Sequence, residues 1–139
     1  MKISTIWYRW LQVSVGVLMI FGISMVLTPG WILKFFSLMV YGSPGAMETG
    51  FSSGANDYIV LVHGVLGTVM FGWGLTMFLV LHGPFRRGEK EGWNMLALPL
   101  AAWFIPDTAF SLYTGFWQNA VLNTAFATLF AIPLIATRS

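Results

Sequence analysis

Four long apolar segments, separated by more polar connections, dominate the sequence. They cover residues 6–27, 57–81, 93–113 and 116–136. Each is long enough to cross, as an α-helix, the hydrocarbon core of a bilayer, which is about 30 Å thick. The pattern therefore predicts an all-α, polytopic membrane protein in which a single domain over residues 1–139 forms a bundle of four transmembrane helices.

The connections between these segments differ greatly in length. Residues 28–30 (Thr-Pro-Gly) end the first segment, and no small-residue cleavage site follows it, so we expect a membrane helix and not a signal peptide. The segment at residues 31–41 is too short to span a bilayer. It predicts a short helix that lies in the membrane–water interface on the outer side of the bilayer. Residues 42–56 are rich in glycine and serine and predict a loop. Only residues 114 and 115 join the last two segments, which predicts a tight antiparallel hairpin.

Three prolines, Pro99, Pro106 and Pro133, lie inside the last two segments. Each lacks the N–H group that would bond the carbonyl four residues earlier in a helix. Membrane helices tolerate this loss where neighbouring helices or side chains satisfy the freed carbonyl. We therefore expect neighbours to satisfy the carbonyls of Met95 and Ala102, and one in the turn at residues 128–129.

The composition supports the membrane class. Hydrophobic residues make up 57% of the chain and charged residues only 9%. In soluble domains, about a quarter of all residues are charged. The sequence has no cysteine, which excludes disulfides, thiolate metal sites and cysteine nucleophiles. No basic patch is interleaved with aromatic residues, so we expect the lipid bilayer, and no nucleic acid, as a partner.

The positive charges are distributed unequally between the two faces. Four crossings bring both termini and the loop at residues 82–92 to one face. Of the seven Lys and Arg residues, only Lys34 falls on the other face. The remaining cations are Lys2, Arg9, Arg86, Arg87, Lys90 and Arg138. Positive loops face the cytoplasm, so we expect an integral protein of a bacterial inner membrane with cytoplasmic N- and C-termini.

Polar side chains inside the spans mark a candidate ligand-binding site, because such groups are costly in a bilayer and are commonly functional. With Asp57 as the outer start of the second span, His63 lies about 9 Å inward, and Asp107 lies equally far from the outer end of the third. The residues predicted to line or approach this outer-leaflet pocket are His63, Asp107, Asn123, Asn119, Trp103, Ser111 and Asp57. Glu48 is expected near its mouth.

Helical spacing predicts which side chains share a face. His63, Gly67, Met70 and Gly74 form one stripe of the second span. Glycines in such a stripe let a neighbouring backbone approach closely, so we expect this face to lie toward the bundle. Because His63 and Asp107 have similar estimated depths, we predict that they meet directly or through one water molecule.

This pocket is compatible with three functions. The preferred interpretation is non-catalytic binding of a partner subunit or a small hydrophobic ligand. The first alternative is a small enzyme that acts on a lipid-like substrate by His63/Asp107 acid–base chemistry. The second is a haem- or pigment-binding accessory subunit with His63 as the ligand. The acidic and histidine residues match no metal-ligand spacing, so no metal site is predicted.

Three short motifs resemble those of small bacterial four-helix membrane proteins of the DoxX-like type. They are the His63-Gly64-Val65-Leu66-Gly67 sequence in the second span, Arg86-Arg87 in the inner loop, and Trp103 with Asp107 in the third span. The resemblance implies a single four-helix bundle, often associated with membrane oxidoreductases. It assigns no catalytic residue.

The charge distribution generates a prediction of topology. A cysteine introduced at Ser139 is expected to resist an impermeant thiol reagent in intact cells, because the C-terminus is cytoplasmic. A cysteine at Ser53, on the opposite face, is expected to react. The reverse pattern of labelling would contradict the orientation.

Overall fold

A computed structural model describes the chain from Ile3 to Arg138. Within this range the regular secondary structure is entirely helical, with no strand. The helices are α1 (Thr5–Leu27), α2 (Pro29–Tyr41), α3 (Ala46–Gly50), α4 (Ser53–Val80), α5 (Lys90–Tyr113) and α6 (Trp117–Ala136), with a π turn (Leu81–Phe85) directly after α4. Four helical segments are long and apolar enough to cross a membrane: α1, α4 with the π turn, α5 and α6. The all-α class and the four spanning segments are therefore confirmed. Lys2 and Ser139, which entered the orientation argument, lie outside the described residues.

The short helix after the first span begins at Pro29, two residues earlier than predicted. Proline suits this position because its missing N–H would have no partner in the first turn and its φ angle is already helical. The helix ends at Tyr41 and is followed by Gly42. The φ of 72° places Gly42 in the left-handed region that favours glycine. The location of α2 in the membrane interface stays a prediction.

The prediction of a loop over residues 42–56 was partly wrong. This stretch contains α3 and the first four residues of α4. The buried Ser37 hydroxyl organises it, because it donates to the Ser43 carbonyl at 2.7 Å and accepts from the Met47 N–H at 3.1 Å. Composition alone indicates flexibility here, since the stabilising side chain lies upstream in α2. The earlier start of α4 also places His63 about 15 Å, and not about 9 Å, from the beginning of its helix.

The chain divides into two compact units, and each is described separately. The hairpin unit contains the described residues up to Gly16 and from Leu75 onward, and the central unit contains Val17–Gly74. The single-domain organisation stays a prediction.

Two helices of the central unit approach each other backbone to backbone. A Cβ atom built on Gly22 of α1 would lie 2.7 Å from the Gly67 carbonyl oxygen, and one built on Gly67 of α4 would collide with the Gly22 carbonyl. A Cβ atom on Gly74 would strike the Met19 side chain. Gly67 and Gly74 therefore permit the close approach predicted for their stripe.

In the hairpin unit, α1 satisfies the backbone carbonyl that Pro133 frees in α6. The Leu129 carbonyl accepts the Trp10 indole N–H at 2.9 Å, and it shares the single Ser14 hydroxyl hydrogen, at 3.2 Å, with the Trp10 carbonyl, at 3.0 Å. Ser14 is only 3% exposed, so this contact lies where an unpaired carbonyl would be costly. The expectation for the turn at residues 128–129 is confirmed, whereas those for Met95 and Ala102 stay predictions.

The connection from α4 to α5 is a packed corner. Gly83 leaves helical geometry (φ −100°, ψ −112°), and the Arg86 N–H bonds the Leu81 carbonyl five residues back, at 3.2 Å. Leu81 and Phe85 are fully buried. A Cβ atom on Gly92, in the first turn of α5, would collide with the Phe85 backbone nitrogen. Glycine at this position therefore lets α5 begin in direct contact with the π turn.

The Gly22–Gly67 contact generates a prediction of stability. Gly67→Ala is expected to lower the free energy of unfolding by about 1–3 kcal/mol, because the new methyl group has no space against backbone. Gly64→Ala, on the same helix, is the matched control, since no atom lies within 4 Å of its added Cβ. Unfolding in detergent micelles measures both, and equal stability of the two variants would contradict the close packing.

Candidate ligand-binding site

The hairpin of α5 and α6 brings polar side chains from both helices together. Gly115, with a φ of 85°, makes the turn, and the Phe116 N–H bonds the Ser111 carbonyl at 2.9 Å. A connection this short fixes the register of the two helices. Ser111 near the end of α5 therefore lies opposite Asn119 in the first turns of α6.

Asp107 is the centre of this group, which we call the Asp107 cluster (Trp103, Asp107, Ser111 and Asn119). One turn before Asp107, the Trp103 indole N–H donates to Asp107 Oδ2 at 3.0 Å. From α6, the Asn119 amide donates to Asp107 Oδ1 at 3.1 Å. The carboxyl group is thus held by one neighbour in its own helix and one across the hairpin.

The buried Ser111 hydroxyl completes the cluster. It donates to the Asp107 carbonyl at 2.8 Å and lies 3.3 Å from Asp107 Oδ1, so its one hydrogen is shared between the two. It also accepts a second hydrogen of the Asn119 amide at 2.8 Å. Ser111 is therefore fully used within the cluster and is a positioning group.

Asn123 lies one turn further along α6 and is 5% exposed. Its amide reaches the Thr108 hydroxyl at 3.5 Å, at the limit of a hydrogen bond. Asn123 therefore extends the polar contact between α5 and α6 and does not touch Asp107 in the hydrogen-bond network.

No basic side chain neutralises the Asp107 carboxyl group within the described residues. The salt bridge found between residues 3 and 138 joins Arg87 and Glu89, which lie in the exposed loop before α5. The hydrogen bonds from the Arg87 guanidinium lower the pKa of the Glu89 carboxyl group. Asp107 instead has only neutral hydrogen-bond donors.

The remaining predicted site residues belong to the central unit. His63 is half-buried in α4, and its Nδ1 lies 2.7 Å from the Ile59 carbonyl. Because a carbonyl only accepts, Nδ1 carries the hydrogen. The Phe36 ring packs on the imidazole at 4.4 Å between centroids. Asp57 and Glu48 are exposed. A shared pocket of these residues with Asp107 stays a prediction.

The described residues, from Ile3 to Arg138, contain no group of three acidic or histidine side chains arranged to hold a metal ion. A haem or pigment bound to His63 would need space beside the neighbouring glycines. The α1 backbone occupies the space next to Gly67, whereas Gly64 faces open space. Only Gly64 is therefore free to make room beside His63.

The structure reveals a second polar group that the sequence interpretation missed. In the hairpin unit, His82 of the π turn donates from Nδ1 to the Phe78 carbonyl at 2.8 Å, and its Nε2 lies 3.1 Å from the Gln12 amide. The Arg86 guanidinium lies over the Tyr8 ring at 5.7 Å. The signal in the sequence was Gln12, an amide within the first apolar segment.

Comparisons with known proteins give no relative from which to transfer a function. No protein-family model, curated protein or solved structure matches the chain.

The predicted meeting of His63 and Asp107 is testable by a double-mutant cycle. If the two side chains interact, His63→Leu and Asp107→Leu are expected to destabilise the protein non-additively, with a coupling of about 1 kcal/mol in thermal unfolding. Asp107→Leu combined with Asn119→Leu provides the matched cycle for a contact present in the structure. Additive losses for the first pair beside coupled losses for the second would contradict a shared site.

Proposed function

We propose that this integral membrane protein binds, without catalysing a reaction, a small hydrophobic ligand or a partner's transmembrane segment at the Asp107 cluster. The bound molecule would present a hydrogen-bond donor, such as a hydroxyl or an amine, from an otherwise apolar surface. An acidic side chain within a spanning helix is a functional-site hypothesis by default, and its surroundings support this one.

The observation that carries the proposal is the unused accepting capacity of Asp107. An ionised carboxylate offers about four lone-pair positions. Oδ1 receives the Asn119 amide and a share of the Ser111 hydrogen, whereas Oδ2 receives Trp103 alone. Oδ2 therefore retains a position for an external donor, and the three neighbours hold the carboxyl group in a fixed orientation toward it.

The same geometry favours binding over catalysis. The Ser111 hydroxyl lies closer to the Asp107 backbone carbonyl, at 2.8 Å, than to the Asp107 carboxyl oxygen Oδ1, at 3.3 Å, and a backbone carbonyl does not act as a base for a nucleophile. Acid–base chemistry on a lipid-like substrate would need His63 to reach Asp107, which is the subject of the cycle described above. Binding needs only the acceptor that the hairpin already presents.

The charge distribution supports a specific orientation for this proposal. Cytoplasmic termini and an Asp107 cluster in the outer half of a bacterial inner membrane follow from the positive-inside rule. The hairpin turn at Gly115 would then face the outside. A DoxX-like relationship is part of the same proposal and is supported by the short motifs alone.

One observation favours a second candidate, a haem- or pigment-binding subunit. With the hydrogen of His63 on Nδ1 and donated to the Ile59 carbonyl, Nε2 carries the lone pair. Metal-binding histidines commonly have this arrangement, because the second hydrogen bond fixes the ring and its tautomer. Nε2 has no hydrogen-bond partner among residues 3–138.

Native mass spectrometry of protein extracted directly from membranes tests the first proposal. Wild-type protein is expected to retain a small molecule or a partner chain. Asp107→Asn is expected to lower this retention at least about tenfold, because the substitution replaces one accepting oxygen with a hydrogen-bond donor. Glu91→Gln, at the opposite end of the same helix, removes the same charge from an exposed position and is expected to change nothing.

Equal retention by the three forms would contradict binding at Asp107. A visible absorption band of the wild-type protein that disappears in His63→Leu, but not in Asp107→Asn, would instead support the second candidate.

A further inference from the structure

An apolar groove runs along the hairpin between α5 and α6, away from the Asp107 cluster. Its volume is 390 Å³, within the usual range for ligand pockets. Alanines from both helices form much of its lining, including Ala97, Ala101, Ala127 and Ala131. Because alanine side chains are short, the two helices leave an open channel between them.

The polar residues of the groove present little polarity to it. The Thr124 hydroxyl donates to the Ala120 carbonyl at 2.7 Å, and the Thr128 hydroxyl donates to the Thr124 carbonyl at 2.7 Å. Both donors are therefore used within α6. An occupant of the groove would meet methyl groups and aromatic surface, which suits a hydrocarbon chain.

The groove has the length of one bilayer leaflet. On α5 it extends over the twelve residues from Trp93 to Phe104, whose Cα atoms are about 16 Å apart along the helix. Half of a hydrocarbon core of about 30 Å is about 15 Å. A partner's transmembrane helix would continue through both leaflets, whereas this groove ends at Phe104, three residues before Asp107. The length therefore matches one acyl chain better than a spanning helix.

At the end of the groove lined by Trp93 and Ile135, two cations have no ion pair with any residue between Ile3 and Arg138. Lys90 precedes Trp93 by one turn and is exposed, and Arg138 follows Ile135 with its N–H bonded to the Ile135 carbonyl at 3.3 Å. The Trp93 indole N–H donates to the Leu134 carbonyl at 2.8 Å, which holds the ends of α5 and α6 together here.

Acidic groups do not cancel this positive charge. Glu89 is paired with Arg87 and Glu91 is exposed, so within the part of the chain that the structure describes the two cations exceed the one unpaired carboxylate at this end. The positive-inside rule places this end at the cytoplasmic leaflet, whose surface is negatively charged by its lipids.

We infer that this groove binds an anionic phospholipid of the cytoplasmic leaflet, with one acyl chain between α5 and α6 and the phosphate near Lys90 and Arg138. The inference concerns a different part of the hairpin from the Asp107 cluster and needs no ligand at that cluster, but it rests on the same cytoplasmic orientation of the termini that the proposed function uses. The phospholipid would fill the channel that the alanines leave open.

Lipid retention on the purified full-length protein tests this inference. Dioleoyl phosphatidylglycerol and dioleoyl phosphatidylcholine, which share their acyl chains, are offered separately in detergent, and bound lipid is counted by native mass spectrometry. Wild-type protein is expected to retain phosphatidylglycerol several-fold more than phosphatidylcholine. Ala127→Leu, which fills the groove, is expected to abolish retention, whereas Ala125→Leu, at an exposed position of the same helix, is expected to leave it unchanged.

The role of the positive charge at the end of the groove near Trp93 and Ile135 is tested separately with surface variants. These variants keep the inference falsifiable if Ala127→Leu does not fold. Lys90→Gln and Arg138→Gln are each expected to lower phosphatidylglycerol retention about fivefold, as for a basic residue near an anionic membrane surface. Lys34→Gln removes the same charge from an exposed position of α2, which does not line the groove, and is the control. Equal retention of the two lipids by wild-type protein, or equal effects of the three charge variants, would overturn the inference. Loss of an oligomer in Ala127→Leu with unchanged lipid retention would also overturn it, in favour of a partner helix.

Discussion

A single backbone carbonyl in α6 joins this helix to α1 in the hairpin unit. Pro133 removes the N–H that would normally bond the Leu129 carbonyl, and a bilayer offers no water to replace it. Trp10 and Ser14 supply two donors from the first helix. The last membrane helix thus has a carbonyl without its usual hydrogen-bond donor, and side chains of the first helix supply the replacement donors. The contact is specific, because only side chains that carry a donor at this height satisfy the carbonyl.

The polar contacts of α5 and α6 follow a related logic at the other end of the hairpin. Asp107, Ser111 and Asn119 satisfy one another almost completely, which allows them to lie in apolar surroundings. The cluster is nevertheless not closed, since Oδ2 keeps an accepting position. A polar group that is held firmly and left partly unsatisfied is well suited to recognition, because the protein needs no rearrangement to bind a donor.

Several features of this molecule were predictable because local sequence determines them. The lengths of the apolar segments predicted the four spans, and the two-residue connection between the last spans predicted their pairing. Helical spacing placed Gly67 and Gly74 on one face, where both permit the close approach of α1. The freed carbonyl near residue 129 was also predictable, since a proline always affects the residue four positions earlier.

Other features depend on partners distant in sequence, and no local pattern reveals those. The helical turn of α3 and the early start of α4 depend on Ser37, which lies upstream of a stretch with the composition of a loop. Trp10 and Ser14 were not identifiable as the partners of Leu129. The position of Pro133 shows that the Leu129 carbonyl lacks a hydrogen bond, but it does not show which side chain donates one. The pairing of Gln12 with His82 joins residues from the first and second spans, and nothing in either segment indicates the other. The relation of His63 to Asp107 is likewise a question of long-range packing.

The packed corner at residues 81–92 has a mechanical consequence. Gly92 brings the first turn of α5 against the backbone of Pro84 and Phe85, so this connection cannot act as a flexible tether. A tilt of α5 would have to carry the end of α4 with it, because no side chain lies between them to yield. A displacement of this corner would thereby be transmitted along α5 as the motion of a rigid lever.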